Sequence, residues 1–305
     1  MLKGSWDLKF QNIHIIINPA SGNNEPILNR LNDVFKNSSL KWQVSITQKV
    51  GDGEKQAQEA IKNACDLVAV YGGDGTVLDV ASGMINQDVP LAILPGGTAN
   101  ALAAELGVAA NLETAAKLIL SDNARIRKID VGKVGERYFL LRIGMGMIAK
   151  FSEIVTRELK DQFGIAAYII GGIEAMTEPQ FVDYQLTIDG EYIETQGTAC
   201  LITNATALGM MNMQLSKHVV IDDGLLDVFI INNDVKSILG IAGSIAQIEP
   251  LAVSLQHWQG SKIHIETKPS QGLYGDGENE PFAQTPSDVY LLSNALSLLV
   301  SEQLD

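Results

Sequence analysis

Four short segments near the start of the chain have the residue types of a phosphate-binding site. Each follows an apolar run, and they are Asn18-Pro19-Ala20-Ser21-Gly22, Thr47 with Gly51-Asp52 after it, Gly72-Gly73-Asp74-Gly75-Thr76, and Pro95-Gly96-Gly97-Thr98-Ala99-Asn100. Glycine lets the backbone approach a phosphate, hydroxyl groups bond its oxygens, and the free N–H groups of a helix start attract an anion. The four segments together therefore predict a nucleotide phosphate site.

The carboxylate of Asp74 stands in the middle of the third segment. Beside a phosphate it would be repulsive unless a cation lay between the two charges. Mg²⁺ typically bridges a protein carboxylate and nucleotide phosphates, so Asp74 points to Mg²⁺. The chain has neither a Walker A pattern nor a G-x-G-x-x-G fingerprint, which makes P-loop NTPases and Rossmann dehydrogenases poor fits.

Alternating strands and helices would bring these segments to one edge of a sheet. The predicted strands are 13–17, 42–47, 67–71 and 91–94, and the predicted helices are 26–36, 53–64, 77–85 and 112–120. Strand–helix–strand repetition favours an α/β domain whose parallel sheet has helices on both faces. Ligands of such sheets bind outside the carboxyl ends of the strands, where the four segments lie.

The pattern changes after about residue 127, where short strands with alternating apolar residues begin. The predicted strands are 184–188, 191–195, 198–203, 225–231, 262–267, 289–292 and 296–300. Asp189-Gly190 between the first two is a two-residue hairpin signal. One helix, 150–176, interrupts the strands. The second half is therefore predicted to be mostly β.

Charge and composition narrow the classes of function. The chain has 305 residues and a net charge of -14, which suggests about two domains and argues against a general nucleic-acid binder. Residues 125–160 nevertheless carry nine basic and four acidic side chains. This segment is either a solvated surface run or a local anion site, for nucleotide phosphates or anionic headgroups.

The apolar stretches and cysteines indicate a cytoplasmic protein. The longest apolar stretches, such as 164–176, are shorter than the roughly 20 residues of a membrane span, and the N-terminus lacks the apolar core of a signal peptide. Cys65 and Cys200 each lie in an apolar run, which is typical of free thiols in a reducing compartment.

The glycine segments taken together resemble the diacylglycerol kinase and sphingosine kinase superfamily, and its soluble bacterial lipid kinases in particular. The resemblance extends to Ile129-Asp130-Val131-Gly132, Lys160–Tyr168, Asp222-Asp223-Gly224-Leu225-Leu226-Asp227 and Asp276-Gly277-Glu278. This chain has Leu78-Asp79 where the family often has Asn-Glu. The family's fold would give residues 1–127 an ATP-binding domain of Rossmann-like, phosphofructokinase-like type. Residues 128–288 would form a lipid-binding β-sandwich, and 289–305 would return to the first domain.

The resemblance also implies which residues form the site. ATP would contact Asn18, Pro19, Ala20, Ser21, Gly22, Thr47, Gly72, Gly73, Asp74, Gly75, Thr76, Val77, Leu78 and Thr98. Asp74 and Asp130 would hold the catalytic Mg²⁺. A second, structural Mg²⁺ would be held by Asp223 and the carbonyls of Val220 and Leu225.

The residue that takes the proton from the lipid hydroxyl would be Glu278, and Asp276 is the other candidate. Glu278 has the longer side chain and would better reach a lipid hydroxyl within the ~3 Å that proton transfer requires. Family pattern favours the same residue.

The function expected from this resemblance is ATP-dependent phosphorylation of the free hydroxyl of a diacylglycerol-like or sphingoid lipid, in phospholipid biosynthesis. The enzyme would be cytoplasmic and would touch the membrane surface transiently to reach its lipid substrate. Two alternatives stay open. One is a NAD kinase-like small-molecule kinase, and the other is a non-catalytic lipid- or nucleotide-binding regulator. The sequence also leaves homodimer formation open.

Overall fold

The computed structural model describes residues 10–21, 25–146, 180–205, 219–231, 255–275 and 280–302. The chain divides into two compact units. Unit 1 consists of Met1–Asp130, Ala207–Asn212 and Ser293–Asp305, and unit 2 consists of Val131–Thr206 and Met213–Leu292. The predicted helix 150–176 lies outside the described residues. Among the described residues, none of the helices is both long and apolar enough to span a bilayer.

Unit 1 alternates strands and helices. Its elements are β1 (Asn12–Ile17), α1 (Ile27–Phe35), β2 (Lys41–Ile46), α2 (Asp52–Lys62), β3 (Leu67–Gly72), α3 (Asp74–Ser82), β4 (Leu91–Pro95), α4 (Ala101–Glu105) and α5 (Leu112–Leu118). The strands pair in parallel in the order β2-β1-β3-β4. The α/β class and the parallel sheet predicted from the sequence are therefore confirmed.

Helices cover both faces of this sheet because its strands are apolar on both sides. Residues 67–72 of β3 and 91–95 of β4 are buried without interruption, as expected for central parallel strands. On one face, Leu31 and Phe35 of α1 pack in a core cluster with residues of α5. Helix α2 approaches the end of α3 so closely that a Cβ on Gly83 would lie 2.4 Å from the carbonyl oxygen of Glu54.

Helix α3 begins three residues earlier than the sequence predicts. The apolar periodicity starts at Val77, but the helix starts at Asp74, directly after the extended Gly73. An acidic side chain in a first turn faces the partial positive charge of the helix N-terminus, which stabilises the early start. The carboxylate singled out by its chemistry is thus a helical residue and not a loop residue.

Two long strands each contribute residues to both units. Strand β5 (Ala124–Val134) begins in unit 1, and β16 (Ser287–Ser301) begins in unit 2 and ends in unit 1. In unit 1, Leu298 of β16 pairs in parallel with Leu91 of β4. The sequence predicts two strands, 289–292 and 296–300, where the structure has one. The prediction was wrong because Ser293 and Asn294 are exposed and polar, which interrupts the apolar pattern without ending the strand.

Unit 2 is built from antiparallel strands. They are β6 (Arg137–Phe139), β7 (Arg142–Gly146), β8 (Val182–Ile188), β9 (Glu191–Gly197), β10 (Ala199–Thr203), β11 (Leu226–Ile231), β12 (Leu255–Gly260), β13 (Lys262–Lys268), β14 (Gly272–Gly275) and β15 (Ala283–Gln284). One set pairs in the order β12-β11-β10-β7-β14-β15, and the other joins β13 to β8 and β8 to β9. The β-rich second half is therefore confirmed.

Alternate residues from both strand sets fill the core of unit 2. Ile143 and Met145 of β7 belong to the same buried cluster as Val182, Tyr184 and Leu186 of β8. This arrangement is the two-layer packing of a sandwich. The predicted hairpin is also confirmed, since Asp189 and Gly190 have φ values of 48° and 94°, the left-handed pair that a tight hairpin turn requires.

Candidate functional site

The parallel sheet of unit 1 places the four predicted phosphate-binding segments at one edge. The first two segments begin directly after β1 and β2, and the third and fourth begin with the last residues of β3 and β4. Backbone hydrogen bonds across the sheet continue at the ends of these strands. These bonds are Thr47 N–H to the Ile17 carbonyl, Asn18 N–H to the Tyr71 carbonyl, and Gly96 N–H to the Gly72 carbonyl, each at 3.0 Å. The turns are therefore held side by side by the sheet itself.

The first and third turns are joined by side chains. The amide nitrogen Nδ2 of Asn18 donates to Oγ1 of Thr76 over 2.8 Å. The amide oxygen of Asn18 accepts from the backbone of Ala20 at 3.0 Å, which closes the first turn on itself. Three residues predicted to contact ATP are thus brought together. Gly22 lies outside the described residues.

The third and fourth turns meet at glycines. A Cβ on Gly97 would lie only 2.4 Å from Cα of Gly73, so the two backbones approach more closely than any larger residue permits. Asn100 holds the fourth turn, because its Oδ1 accepts from Gly97 N–H at 2.9 Å and its Nδ2 donates to the Gly97 carbonyl at 2.7 Å. Thr98, between them, is exposed. Closely packed glycines next to an exposed threonine leave backbone that an anion can approach.

Asp74 lies at this cradle with one oxygen available. It is half-buried, and its Oδ1 accepts from Leu102 N–H of α4 at 3.2 Å. Within the described residues, its Oδ2 has no hydrogen-bond partner. A carboxylate oxygen of this kind, beside a glycine cradle and at the start of α3, fits a hard cation that bridges to a phosphate.

Asp130 is fully buried in strand β5. Its Oδ1 accepts from the backbone N–H of Asn294 in β16 at 2.7 Å. Its described contact is thus with β16, whereas the described contact of Asp74 is with α4. Both aspartates belong to unit 1. Asp276 and Glu278 lie outside the described residues and stay predictions.

The predicted structural metal site falls on a surface turn of unit 2. Val220 and Asp223 are exposed, and Oδ1 of Asp223 accepts from Leu225 N–H at 3.0 Å. No group of three or more His, Cys, Asp or Glu side chains that could hold a metal occurs in the part of the chain that the structure describes. The predicted site uses one carboxylate and two carbonyls, so it stays a prediction.

Asp79 is a site-supporting residue that the sequence analysis did not assign. Its carboxylate accepts from Gly51 N–H at 3.1 Å and from Gly53 N–H at 2.9 Å, which ties the turn after Thr47 to helix α3. Burial raises the pKa of Asp79, and the backbone N–H groups of Gly53, Gly51 and Glu54 oppose that rise. The sequence signal that could have predicted this contact was an acidic residue in α3 together with the glycines at the start of α2.

Two family models match the chain. Residues 12–134 match the model described as diacylglycerol kinase catalytic domain. Residues 142–300 match the model described as YegS C-terminal NAD kinase beta sandwich-like domain. The two matches together span most of the chain.

Curated relatives and solved structures agree with these matches. Candidate lipid kinases of Staphylococcus aureus strains MSSA476 and JH9 are 31% identical over 270 residues, covering 86% of this chain and 87% of theirs. A candidate diacylglycerol kinase from Bacillus anthracis str. Sterne has a TM-score of 0.82 at 27% identity, with both chains covered completely. A second structure, of a diacylglycerol kinase from the same organism, has a TM-score of 0.79 at 27% identity and covers 97% of this chain and 99% of its own.

Proposed function

The chain belongs to the diacylglycerol kinase catalytic domain family, and from this membership we propose that it is an ATP-dependent lipid kinase. The proposed acceptor is the free hydroxyl of a diacylglycerol-like or sphingoid lipid. The observation that carries the proposal is the convergence of the glycine turns and the carboxylate of Asp74 at one sheet edge. Family membership supports the kinase chemistry, and the named relatives support a lipid acceptor.

The nucleotide would lie against the carboxyl ends of β1 to β4. The proposed contacts are the residues named above from the first, second, third and fourth turns. The close approach of Gly73 and Gly97 supports them, because a side chain at Gly97 would collide with the Gly73 backbone and push the third and fourth turns apart. The N-terminus of α3, where the N-cap residue Gly73 makes no side-chain capping hydrogen bond, adds backbone N–H groups that favour an anion.

Asp74 is the proposed holder of Mg²⁺, and Asp130 is proposed to assist it. When bound, Mg²⁺ neutralises phosphate charge during transfer. The hydrogen bond from Leu102 N–H orients the Asp74 carboxylate, whose charge would then help to hold the cation. Glu278 is proposed to accept the proton of the lipid hydroxyl. Phosphoryl transfer otherwise needs mainly positioning, which the turns would supply.

The proposed lipid side of the protein is unit 2, with transient binding at a membrane surface. Part of the basic charge in residues 125–160 is neutralised by nearby acids. Arg125 pairs with Glu302 at 2.6 Å, and Lys133 pairs with Glu136 at 3.5 Å. The net charge of -14 also opposes anionic membranes. We therefore propose that apolar contact dominates and that vesicle binding weakens only modestly with salt.

A transfer assay with γ-labelled ATP tests the function. Purified protein is incubated with Mg²⁺ and with vesicles of a lipid extract, diacylglycerol or sphingosine, and label is measured in the organic phase. Labelled lipid supports the proposal. Transfer of the label to NAD in a parallel reaction would favour a NAD kinase-like enzyme, which the description of the second family model gives a reason to include. ATP binding without ADP release on any acceptor would indicate a regulator.

The proposed structural metal gives a stability prediction. Asp223→Ala is expected to lower the melting temperature, and EDTA is expected to lower it in the wild type but not further in the variant. The reason is that an ion bound only to the native state stabilises it by mass action. Thermal unfolding with and without EDTA measures this. Equal EDTA sensitivity of both proteins would show that Asp223 is not the ligand.

A further inference from the structure

Tyr71 makes hydrogen bonds to described residues on both sides of the first turn. Its backbone carbonyl accepts from Asn18 N–H at 3.0 Å, where that turn begins. Its side-chain hydroxyl donates to Oε1 of Glu25 at 2.5 Å, where the chain enters α1. The side chain is fully buried at the end of β3. A single residue therefore contacts the start of the first turn through its backbone and Glu25, which follows that turn, through its side chain.

Glu25 is itself fixed by neighbouring charges. Its Oε2 is paired with Nη1 of Arg30 in α1, and Nε of Arg30 also lies 3.3 Å from Oε1 of Glu113 in α5. Burial, together with the hydrogen bond to Glu25 and its charge, raises the pKa of Tyr71. The Tyr71 hydroxyl therefore stays protonated at neutral pH and continues to donate its hydrogen bond to Glu25.

The ring of Tyr71 also supports the fourth turn. A Cβ on Gly96 would lie 2.7 Å from Cζ of the ring, so the glycine backbone packs directly against the hydroxyl end of the ring. Gly97 follows at once and makes the close approach to Gly73. Tyr71 thus contacts the first turn through its polar atoms and the fourth turn through its ring.

We propose that Tyr71 is a positioning residue for the nucleotide, acting through Asn18, Glu25 and Gly96 without touching the ligand. This inference rests on the proposed function. Hydrogen bonds on both sides of the first turn keep the backbone of Ala20 and Ser21 preorganised, and a turn that is ordered before binding loses less conformational entropy when the ligand binds. Loss of the hydroxyl would free one end of the turn while the ring still supports Gly96.

The test is Tyr71→Phe, which keeps the ring and removes only the hydroxyl. We expect the Kd and the KM for MgATP to rise about 5- to 20-fold while kcat stays within about twofold, because only part of the free energy of a hydrogen bond to a charged group reaches a ligand that Tyr71 does not touch. Calorimetric titration with MgATP and steady-state kinetics measure these values. Glu25→Gln, which keeps an acceptor for the hydroxyl, is expected to give a smaller rise than Tyr71→Phe.

Tyr184→Phe is the matched control. Tyr184 is also a buried tyrosine, in the core of unit 2, and its hydroxyl has no hydrogen-bond partner among the described residues. Its substitution removes the same atom without breaking a hydrogen bond. We expect unchanged ATP binding and equal or higher stability. A loss of ATP affinity in both variants alike would overturn the inference, because it would show a general effect of core change.

Hydrogen exchange separates this inference from the proposed function. The backbone amides of Ala20 and Ser21 are bonded to Asn18, and in the ligand-free protein Tyr71→Phe should speed their exchange at least about fivefold. If the wild type binds no ATP, the proposed function fails, and the exchange rates alone then decide the role of Tyr71. Unchanged exchange overturns the inference, as does unchanged MgATP affinity where the wild type binds.

Discussion

Asp74→Asn is expected to lower turnover by about 10³-fold or more while the protein stays folded. The substitution removes the charge proposed to hold Mg²⁺ at the phosphates, and electrostatic stabilisation of this kind is usually the largest part of catalysis in phosphoryl transfer. The fold should survive because the amide oxygen of asparagine can still accept from Leu102 N–H, as Oδ1 of Asp74 does. The measurement is kcat at saturating MgATP, with thermal unfolding recorded alongside.

Asp79→Asn is the control for this experiment. Asp79 lies in the same helix, is also half-buried and also accepts from backbone N–H groups, but it faces the start of α2. Because Asp79 holds the second turn, its substitution is expected to raise the KM for MgATP, while kcat at saturating MgATP stays within a few fold. Near wild-type turnover of Asp74→Asn at saturating Mg²⁺ would contradict the assignment of Asp74 as the metal-holding residue.

Glu278→Gln is expected to lower kcat by roughly 10²- to 10⁴-fold with ATP affinity little changed, the usual range for loss of a general base. The residue lies three positions after Gly275, the last residue of β14, which pairs with Ile143 of β7. Gly275 and Gly277 flank Asp276, so this segment can fold closely against a phosphate, and the longer Glu278 can extend further toward a lipid hydroxyl. Single-turnover transfer and MgATP titration separate chemistry from binding.

Asp276→Asn tests the reverse assignment. It should keep far more activity than Glu278→Gln if Glu278 is the proton acceptor. An inactive Asp276→Asn together with a fully active Glu278→Gln would exchange the two roles. Because both substitutions keep side-chain volume and remove one negative charge, a difference between them reports on position and not on net charge.

The first domain was predictable because its signals are local. Strands β1 to β4 are continuous apolar runs, and α1 and α2 have clear one-sided patterns, so their order implied a parallel sheet. The predicted start of α3 was wrong because the apolar periodicity begins only at Val77, whereas the structure begins the helix at Asp74 and includes Gly75, a residue of low helix propensity. Propensity is a weak signal wherever a turn is fixed by contacts with another turn.

Several strands of unit 2 had no readable pattern. Strand β7 (Arg142–Gly146) contains two glycines, and β12 (Leu255–Gly260) is largely polar. Both are defined by pairing: β7 lies between β10 and β14, and β12 completes the edge beside β11. The free energy that makes them strands comes from partners distant in sequence, which a local reading does not contain.

The candidate site was predictable as a set of turns but not as a set of contacts. Glycines and hydroxyls at strand ends predict where a phosphate would bind. The bond from Asn18 to Thr76 joins residues 58 positions apart, and the bond from Tyr71 to Glu25 joins residues 46 apart. From the sequence, Tyr71 is indistinguishable from the other apolar residues of its strand. Its hydroxyl matters only because the fold places a carboxylate opposite it.

Strand β16 makes the order of synthesis matter for this chain. Residues 295–300 of β16 are buried, and Leu298 pairs with β4, although the ribosome makes them after all of residues 131–292. At about 5–20 residues per second, this interval lasts roughly 10 to 30 seconds. During that time β4 is an open edge of an apolar sheet, a surface prone to wrong pairing until its own neighbour is translated. A stop codon anywhere before residue 293 therefore removes part of unit 1 as well, so the chain offers no shorter translation product with a complete first unit.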